Sequence, residues 1–484
     1  MSPLEQDSRE RPVIPNVLAD RYASTPIVIN WSPENKVRQE RNLWIVIMQG
    51  QKDLGLHIPQ SHIDAYKSVK DHVDLESIRK RELELQHDEK ARIDEFNALA
   101  GFEDIHKGLT SRDVSDNLEQ MQIRDSLIII RDRTVATLAR DARLAVDYDN
   151  LVYAGRTHNA PAQPSIIGKN FSDSGEELLH GFNRLEELID SYPLRGIKGA
   201  MGTQTDLLQL FDGDVEKVHA LEQKVAEHLG FKNVLGSVGQ IYPRSLDHEV
   251  VSLLYEIISG PANQALTMRL MAGNEQFTEG FKEGQVGSSA MPHKMNTRTA
   301  ERINALKGVL AGHVTMAGAI AGAQWYGGDV SESATRRVFI PDAFFATDGI
   351  FQSILTILDK CGFYPAIINR ELERFLPFLT TTRLLMAAVK NGVGREKAHA
   401  IIKNHAVKAA LSMRREGLDA NNLIDRLSND PGLEMTRSQL EEAISSPIEL
   451  VGTASRQISN FVSKVKKIMK KYPEAAAYMP EEIL

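Results

Sequence analysis

The chain has little of several things, and each shortage narrows what it can do. It carries a single cysteine, Cys361, which excludes an intrachain disulfide framework and a cysteine-rich metal site. It has no excess of basic charge: 57 lysines and arginines face 65 acidic residues, for a formal net charge of −8. That balance gives no electrostatic footprint for nucleic acid and no general attraction to an anionic membrane, while leaving room for a local basic pocket around a small anion. The first eleven residues are charged and lack an apolar run, so no secretory signal is expected. The stretch of small apolar residues at 314–323 is too short to span a bilayer. The histidines show no H-E-x-x-H or related spacing, so no metal site is expected. Together these shortages predict a cytoplasmic protein without a metal, a nucleic-acid partner or a membrane.

Helical periodicity fills the space that remains. Between 118 and 146, apolar residues recur at Met121, Leu127, Ile128, Val135, Leu138, Ala142 and Ala145, with charges between them. Two more long apolar-rich segments follow, at 249–272 and 297–323. The second holds Ala305, Leu306, Val309, Leu310, Val314, Met316, Ala317 and Ile320, whose many small side chains suit close contact between helices. Strand-type alternation is scarce. The pattern predicts an all-α fold around a long central bundle, in a chain long enough for two or three domains. Breaks at Ser24-Thr25-Pro26, Gly108-Leu109-Thr110-Ser111 and Gly362-Phe363-Tyr364-Pro365 punctuate it. The expected division is an N-terminal helical domain at 1–117, a central bundle at 118–369 and a C-terminal helical domain at 370–484.

Three segments carry chemistry. Residues 284–296 set Ser288 and Ser289 between glycines and Pro292, followed by Lys294 and Asn296. Glycine and proline favour a loop here, one that offers a proton carrier, a fixed positive charge and an amide. Residues 156–164 place His158 between an arginine and two prolines, and histidine suits proton transfer near neutrality. Residues 106–113 read His-Lys-Gly-Leu-Thr-Ser-Arg-Asp, so Thr110 and Ser111 can present hydroxyls and backbone N–H groups to a carboxylate. Each has a plainer explanation too: a polar turn, a surface histidine, and Ser111 or Asp113 capping a helix.

The first segment closely resembles G-S-S-x-M-P-x-K-x-N, the signature loop of the fumarase/aspartase superfamily of β-elimination lyases. The second resembles its T-H-x-Q-x-A-x-P motif, and the third its H-x-G-x-T-S-x-D box. The Arg-Thr-His form, followed by Gly168-Lys169, is most similar to the adenylosuccinate lyase branch. The resemblance runs from about residue 20 to at least 450, with motifs in the family's order. It implies a three-domain helical fold and elimination of fumarate from a succinylated amine, with no metal or organic cofactor. It implies Ser288 as the base, His158 as the general acid, and Lys294 and Asn296 as stabilisers of the carbanion. Thr110 and Ser111 would hold the succinyl end. Arg21-Tyr22, His87-Asp88, Gln240, Arg302, Ser333 and Arg337 match positions that contact the nucleotide portion or other parts of the substrate. Lys198-Gly199-Ala200-Met201-Gly202-Thr203 matches a turn with a mainly structural role. The family assembles as a homotetramer whose active sites take residues from three chains.

Three departures stand out. Ala160 replaces a glutamine, and Thr297 replaces a proline after Asn296. Gly328 stands where many relatives have a substrate-touching arginine, which leaves Arg298 or Arg336 to supply one. Related lyases acting on argininosuccinate or carboxymuconate are the nearest rivals, and a non-catalytic helical scaffold is a more distant one.

Overall fold

The computed structural model describes residues 13–280, 291, 293–444 and 446–483. Its spine is the helix Ser111–Asp147, whose 37 residues run about 55 Å. Its start is fixed by Asp113, three residues in, whose Oδ2 accepts the Thr110 N–H at 2.8 Å. Ile167–Ser191 and Ser333–Lys360 pack against the spine, and Ser245–Ile257, Ser259–Gly273 and Arg298–Ile320 pack on one or both of those two. The apolar-rich segment at 249–272 falls on two helices, meeting at Ile258. Pro261 falls in the first turn of the second helix, where its missing N–H costs nothing.

The bundle buries its helices unequally. Along Arg298–Ile320 the buried residues are Ala300, Ile303, Leu306, Leu310, His313, Ala317 and Ile320. Their spacings of three or four make one narrow seam. Ser333–Lys360 instead buries nearly everything from Phe339 to Leu358. Pro341 lies inside it, so the Arg337 carbonyl loses its usual helical partner close to where the helix starts.

Strands are few among the described residues. Val152–Thr157 and Ala160–Ile166 form an antiparallel hairpin with an irregularity at Gly155/Arg156. Phe277–Thr278 pairs with Gly362–Phe363, tying the approach to the signature loop to the end of the Ser333–Lys360 helix. A second, smaller apolar core holds Leu384, Ala398, Ile402, Leu423, Leu427 and Leu440. The chain then returns: Ala454–Lys471 packs Ile458, Phe461 and Val465 onto the main core.

Candidate active site

A cavity of about 750 Å³ opens where the first turns of Ser111–Asp147, Ser333–Lys360 and Asp88–Ala100 converge. Its wall brings together His87, Asp88, Ser111, Ser333 and Arg337, residues drawn from three distant parts of the sequence. His87 caps its helix, its Nδ1 accepting the Lys90 N–H at 3.2 Å. Arg337 reaches Asp88 at 3.3 Å. Burial works against the Asp88 charge, but Arg92, the Glu89 N–H and Arg337 outweigh it and hold the carboxyl below its usual range.

Charges behind the wall are spent on one another. Asp113 is fully buried and gathers donors at a single oxygen: Arg195 at 2.6 Å, the Lys198 N–H at 2.8 Å and the Gly199 N–H at 3.0 Å. The Lys198-to-Thr203 turn is thereby bolted to the start of the spine, and Lys198 itself pairs with Glu222 at 2.8 Å. Ser111, in the first turn of the spine, lines the cavity, and a helix start is a setting that favours an anion. His106 is structural: its Nδ1 accepts from Trp44 at 3.2 Å, and burial lowers its pKa to about 4.

Arg336 also lines the cavity, yet it is engaged on all sides. It reaches Asp247 and Glu119 at 2.8 Å each and the Tyr242 hydroxyl at 2.5 Å. It is therefore committed to the wall and does not replace the arginine missing at 328. Gly328 itself has φ +122°, and a Cβ there would meet Ile241 at 2.6 Å. The glycine suits a tight turn whose neighbour, Gly327, accepts the Gln240 N–H at 2.9 Å and so seats Gln240 through backbone alone. Arg112, inside the His106-to-Asp113 box, faces the cavity with Asp116 at 3.1 Å and Glu332 at 3.8 Å. It was not singled out from sequence, although its place between two matched residues marked it.

The remaining expected residues lie elsewhere in the chain. Tyr22 packs on Gly349, and Arg302 stacks on the Tyr22 ring at 5.4 Å. Burial lowers the Arg302 pKa, Tyr22 opposes this, and the charges of Arg298 and Arg21 lower it further. Several guanidinium groups therefore share one neighbourhood, a setting for an anion. About 24 Å of helix separates Gly349 from Ser333. His158 and Asn159 occupy the exposed tip of the hairpin with φ 52° and 59°, a turn that matches the strand twist. Lys294 is exposed and Asn296 half-buried beside the start of Arg298–Ile320, where Glu279 accepts the Thr299 and Ala300 N–H groups. Ser288 lies outside the described residues. Thr110 adjoins Ser111 as the N-cap of the spine.

His158 and Ser111 do not meet in one chain. The hairpin begins beside the far end of the spine, where the Ile167 and Gly168 N–H groups bond Leu151 and Tyr148. Six strand residues reach about 20 Å, so even a hairpin lying back along the 55 Å spine leaves His158 about 30 Å from Ser111.

The helical bundle fits the fumarase-type lyase class, and related proteins agree. The family model described as Lyase matches residues 57–312. The solved 3-carboxy-cis,cis-muconate lactonizing enzyme of Pseudomonas putida superposes with a TM-score of 0.82, covering 94% of this chain and 100% of that one. At 18% identity that likeness speaks for the fold alone. A second family model, Adenylosuccinate lyase C-terminus, matches residues 377–461. The adenylosuccinate lyase of Saccharomyces cerevisiae is 33% identical over 92% of this chain and 93% of its own length. That of Schistosoma mansoni is 33% identical over 93% and 94%, and that of Methanothermobacter thermautotrophicus 29% over 92% and 98%. This chain belongs to the adenylosuccinate lyase family and is a carbon–nitrogen lyase.

Proposed function

We propose that the chain removes fumarate from adenylosuccinate to give AMP, and from the related imidazole-carboxamide SAICAR to give AICAR, in purine biosynthesis. The observation that carries this reading is the cavity that assembles His87, Asp88, Ser111, Ser333 and Arg337. Thr110 and Ser111 hold the succinyl end beside the spine's N-terminus. Arg21, Tyr22 and Arg302 of one copy, with Ser333 and Arg337 of another, grip the nucleotide portion and its phosphate, for which guanidinium forks are suited. His87, Asp88 and Gln240 hold further substrate groups.

The elimination needs a base at the carbon next to a carboxylate and an acid at the leaving nitrogen. Ser288 takes the first role on the strength of the sequence resemblance, with Lys294 and Asn296 stabilising the carbanion; one well-placed donor of this kind is typically worth about 3–4 kcal/mol. His158 protonates the nitrogen, a contribution of about 10²–10⁴ in rate. His158→Ala and Ser288→Ala should each lower turnover by that order without unfolding the protein.

Residues about 30 Å apart cannot act on one substrate, so the working enzyme joins several copies. We infer a cytoplasmic homotetramer in which bundles pack together, with domains at 1–117, 118–369 and 370–484. Leu266, Leu270, Val309 and Val338 lie exposed on the bundle helices, an apolar surface for such contacts. The activity is tested by following the ultraviolet spectrum of adenylosuccinate mixed with purified protein. Conversion to AMP and fumarate is the expected result. No change, with turnover of argininosuccinate instead, would overturn it.

A further inference from the structure

The residues after the Pro473–Ala476 helix cross the bundle and end on the segment that carries Arg21 and Tyr22. The Glu481 carboxylate accepts the Thr25 N–H at 2.9 Å and the Thr25 hydroxyl at 2.8 Å through one oxygen. These partners are 456 residues apart in sequence. Glu481 is held in place in turn: its own N–H donates to Gln352 Oε1 at 2.9 Å, an oxygen that also takes the Tyr478 hydroxyl at 3.2 Å. Arg133 lies 3.4 Å over the Tyr478 ring, and Arg140 donates to the Tyr478 carbonyl at 2.9 Å.

The same network reaches the arm from below. Gln352 donates to Asp348 at 3.2 Å, and Asp348 accepts the Ser24 N–H at 2.5 Å. Arg133 bridges the two, 3.3 Å from the Ser24 hydroxyl and 3.4 Å from Asp348. Ser24, Asp348 and Gln352 are fully buried, so this lower clamp is part of the core. The Glu481 clamp is at the surface. Between them they fix Ser24 and Thr25, two and three residues beyond Tyr22, whose Cβ lies against Gly349 and whose ring lies under Arg302.

We propose that Glu481 is a positioning residue for the substrate arm, setting the place of Arg21 and Tyr22 from above while Asp348 secures it from below. The inference rests on the reading that Arg21 and Tyr22 hold substrate. Because the buried clamp remains when Glu481 is lost, the fold should survive while the arm loosens. The expected consequence is weaker binding with unchanged chemistry, a rise in KM at constant kcat.

The test is steady-state kinetics on adenylosuccinate for Glu481→Ala, Glu481→Gln and Arg21→Ala, with melting temperatures for each. Glutamine keeps an oxygen that accepts both Thr25 bonds. The expected result is a KM about tenfold higher for Glu481→Ala, with kcat and melting temperature unchanged and Glu481→Gln near the parent. If Arg21→Ala raises KM and Glu481→Ala does not, this inference is wrong and the site reading stands. If Arg21→Ala leaves KM unchanged, the site reading fails and takes this inference with it. A Glu481→Ala protein that melts lower and loses kcat at constant KM would make the contact purely structural and also overturn the proposal.

Discussion

Arg298–Ile320 and Ser333–Lys360 pack against each other, and both are long and apolar enough by composition to cross a bilayer. Their surroundings differ. In its most apolar stretch the second helix is 83% buried within the chain, the first only 33%. That stretch of the second is apolar because the protein closes round most of it. The first uses one seam, Ile303 through Ile320, for its own chain and leaves Val309 and several small residues on the opposite face. Equal apolarity thus has two sources, and the first helix needs a covering that one chain does not supply. A second copy is the covering we propose, since His158 and Ser111 lie too far apart in one chain to meet.

The largest expected effect follows from charging that face. Val309→Asp would bury an unpaired carboxylate between copies, so the assembly should fall apart and activity with it, while the circular dichroism of each chain is kept. Light scattering reads the mass. The matching change in the other helix, Phe351→Ala, should instead cost about 3–5 kcal/mol of folding stability in denaturant titration, with no selective effect on assembly. An assembled, active Val309→Asp protein would erase the contrast between the helices.

Mixing sharpens it next. Ser111→Ala and His158→Ala proteins, each nearly inactive, should recover activity when their chains are exchanged, because a mixed assembly contains some sites with both residues intact. If exchange is verified by mass and no activity returns, the two residues do not serve one site across chains.

A smaller effect sits on the buried side of the comparison. Asp141, in the spine, is fully buried with Gln264 at 2.9 Å, and burial pushes its pKa up to about 8. The folded state therefore holds a proton that the unfolded chain releases near its ordinary pKa of about 3.9. The stabilisation is fully present below that value and is lost as pH rises towards 8. Asp141→Asn should flatten the fall in melting temperature between pH 5 and 8. An unchanged fall would assign the dependence to another group, such as Glu89, which burial and Glu40 also push up to about 8.

Much of this was legible in the sequence, for identifiable reasons. The spine and Arg298–Ile320 were readable because their apolar residues repeat at helical spacing. Ser333–Lys360 was not, since a helix buried all round has no amphipathic face and Pro341 argues against one. The hairpin under His158 was missed because its turn residues, His158 and Asn159, adopt positive φ without a glycine to announce it. Motif matching found Ser111, Ser333 and Arg337, which the fold brings to one cavity. It did not foresee that Arg336, next to Arg337, is consumed by Asp247, Glu119 and Tyr242, because such pairings depend on contacts across 89 to 217 residues. Nor did it find Glu481, whose partner lies at the other end of the chain.

The smallest effect is also the most discriminating, because its sign decides. A Cβ at Gly312 meets nothing within 4 Å in one chain, and the same holds at Gly308. On a solvated helix face Gly312→Ala would simply raise helix propensity and stabilise the protein by about 1 kcal/mol. At Gly349 in the partner helix the situation is already settled: a Cβ there would stand 2.9 Å from Tyr22, so that glycine makes room for a neighbour within the chain. If Gly312 makes room for a neighbour in another copy, its added methyl group is overpacked at the contact, a cost of about 1–3 kcal/mol that exceeds the propensity gain. We expect weaker assembly, read as a melting temperature that falls on dilution more steeply than the parent's. A Gly312→Ala protein that melts higher at every concentration and assembles as tightly as the parent would place this face in solvent, and would remove the reason for covering it with a second copy.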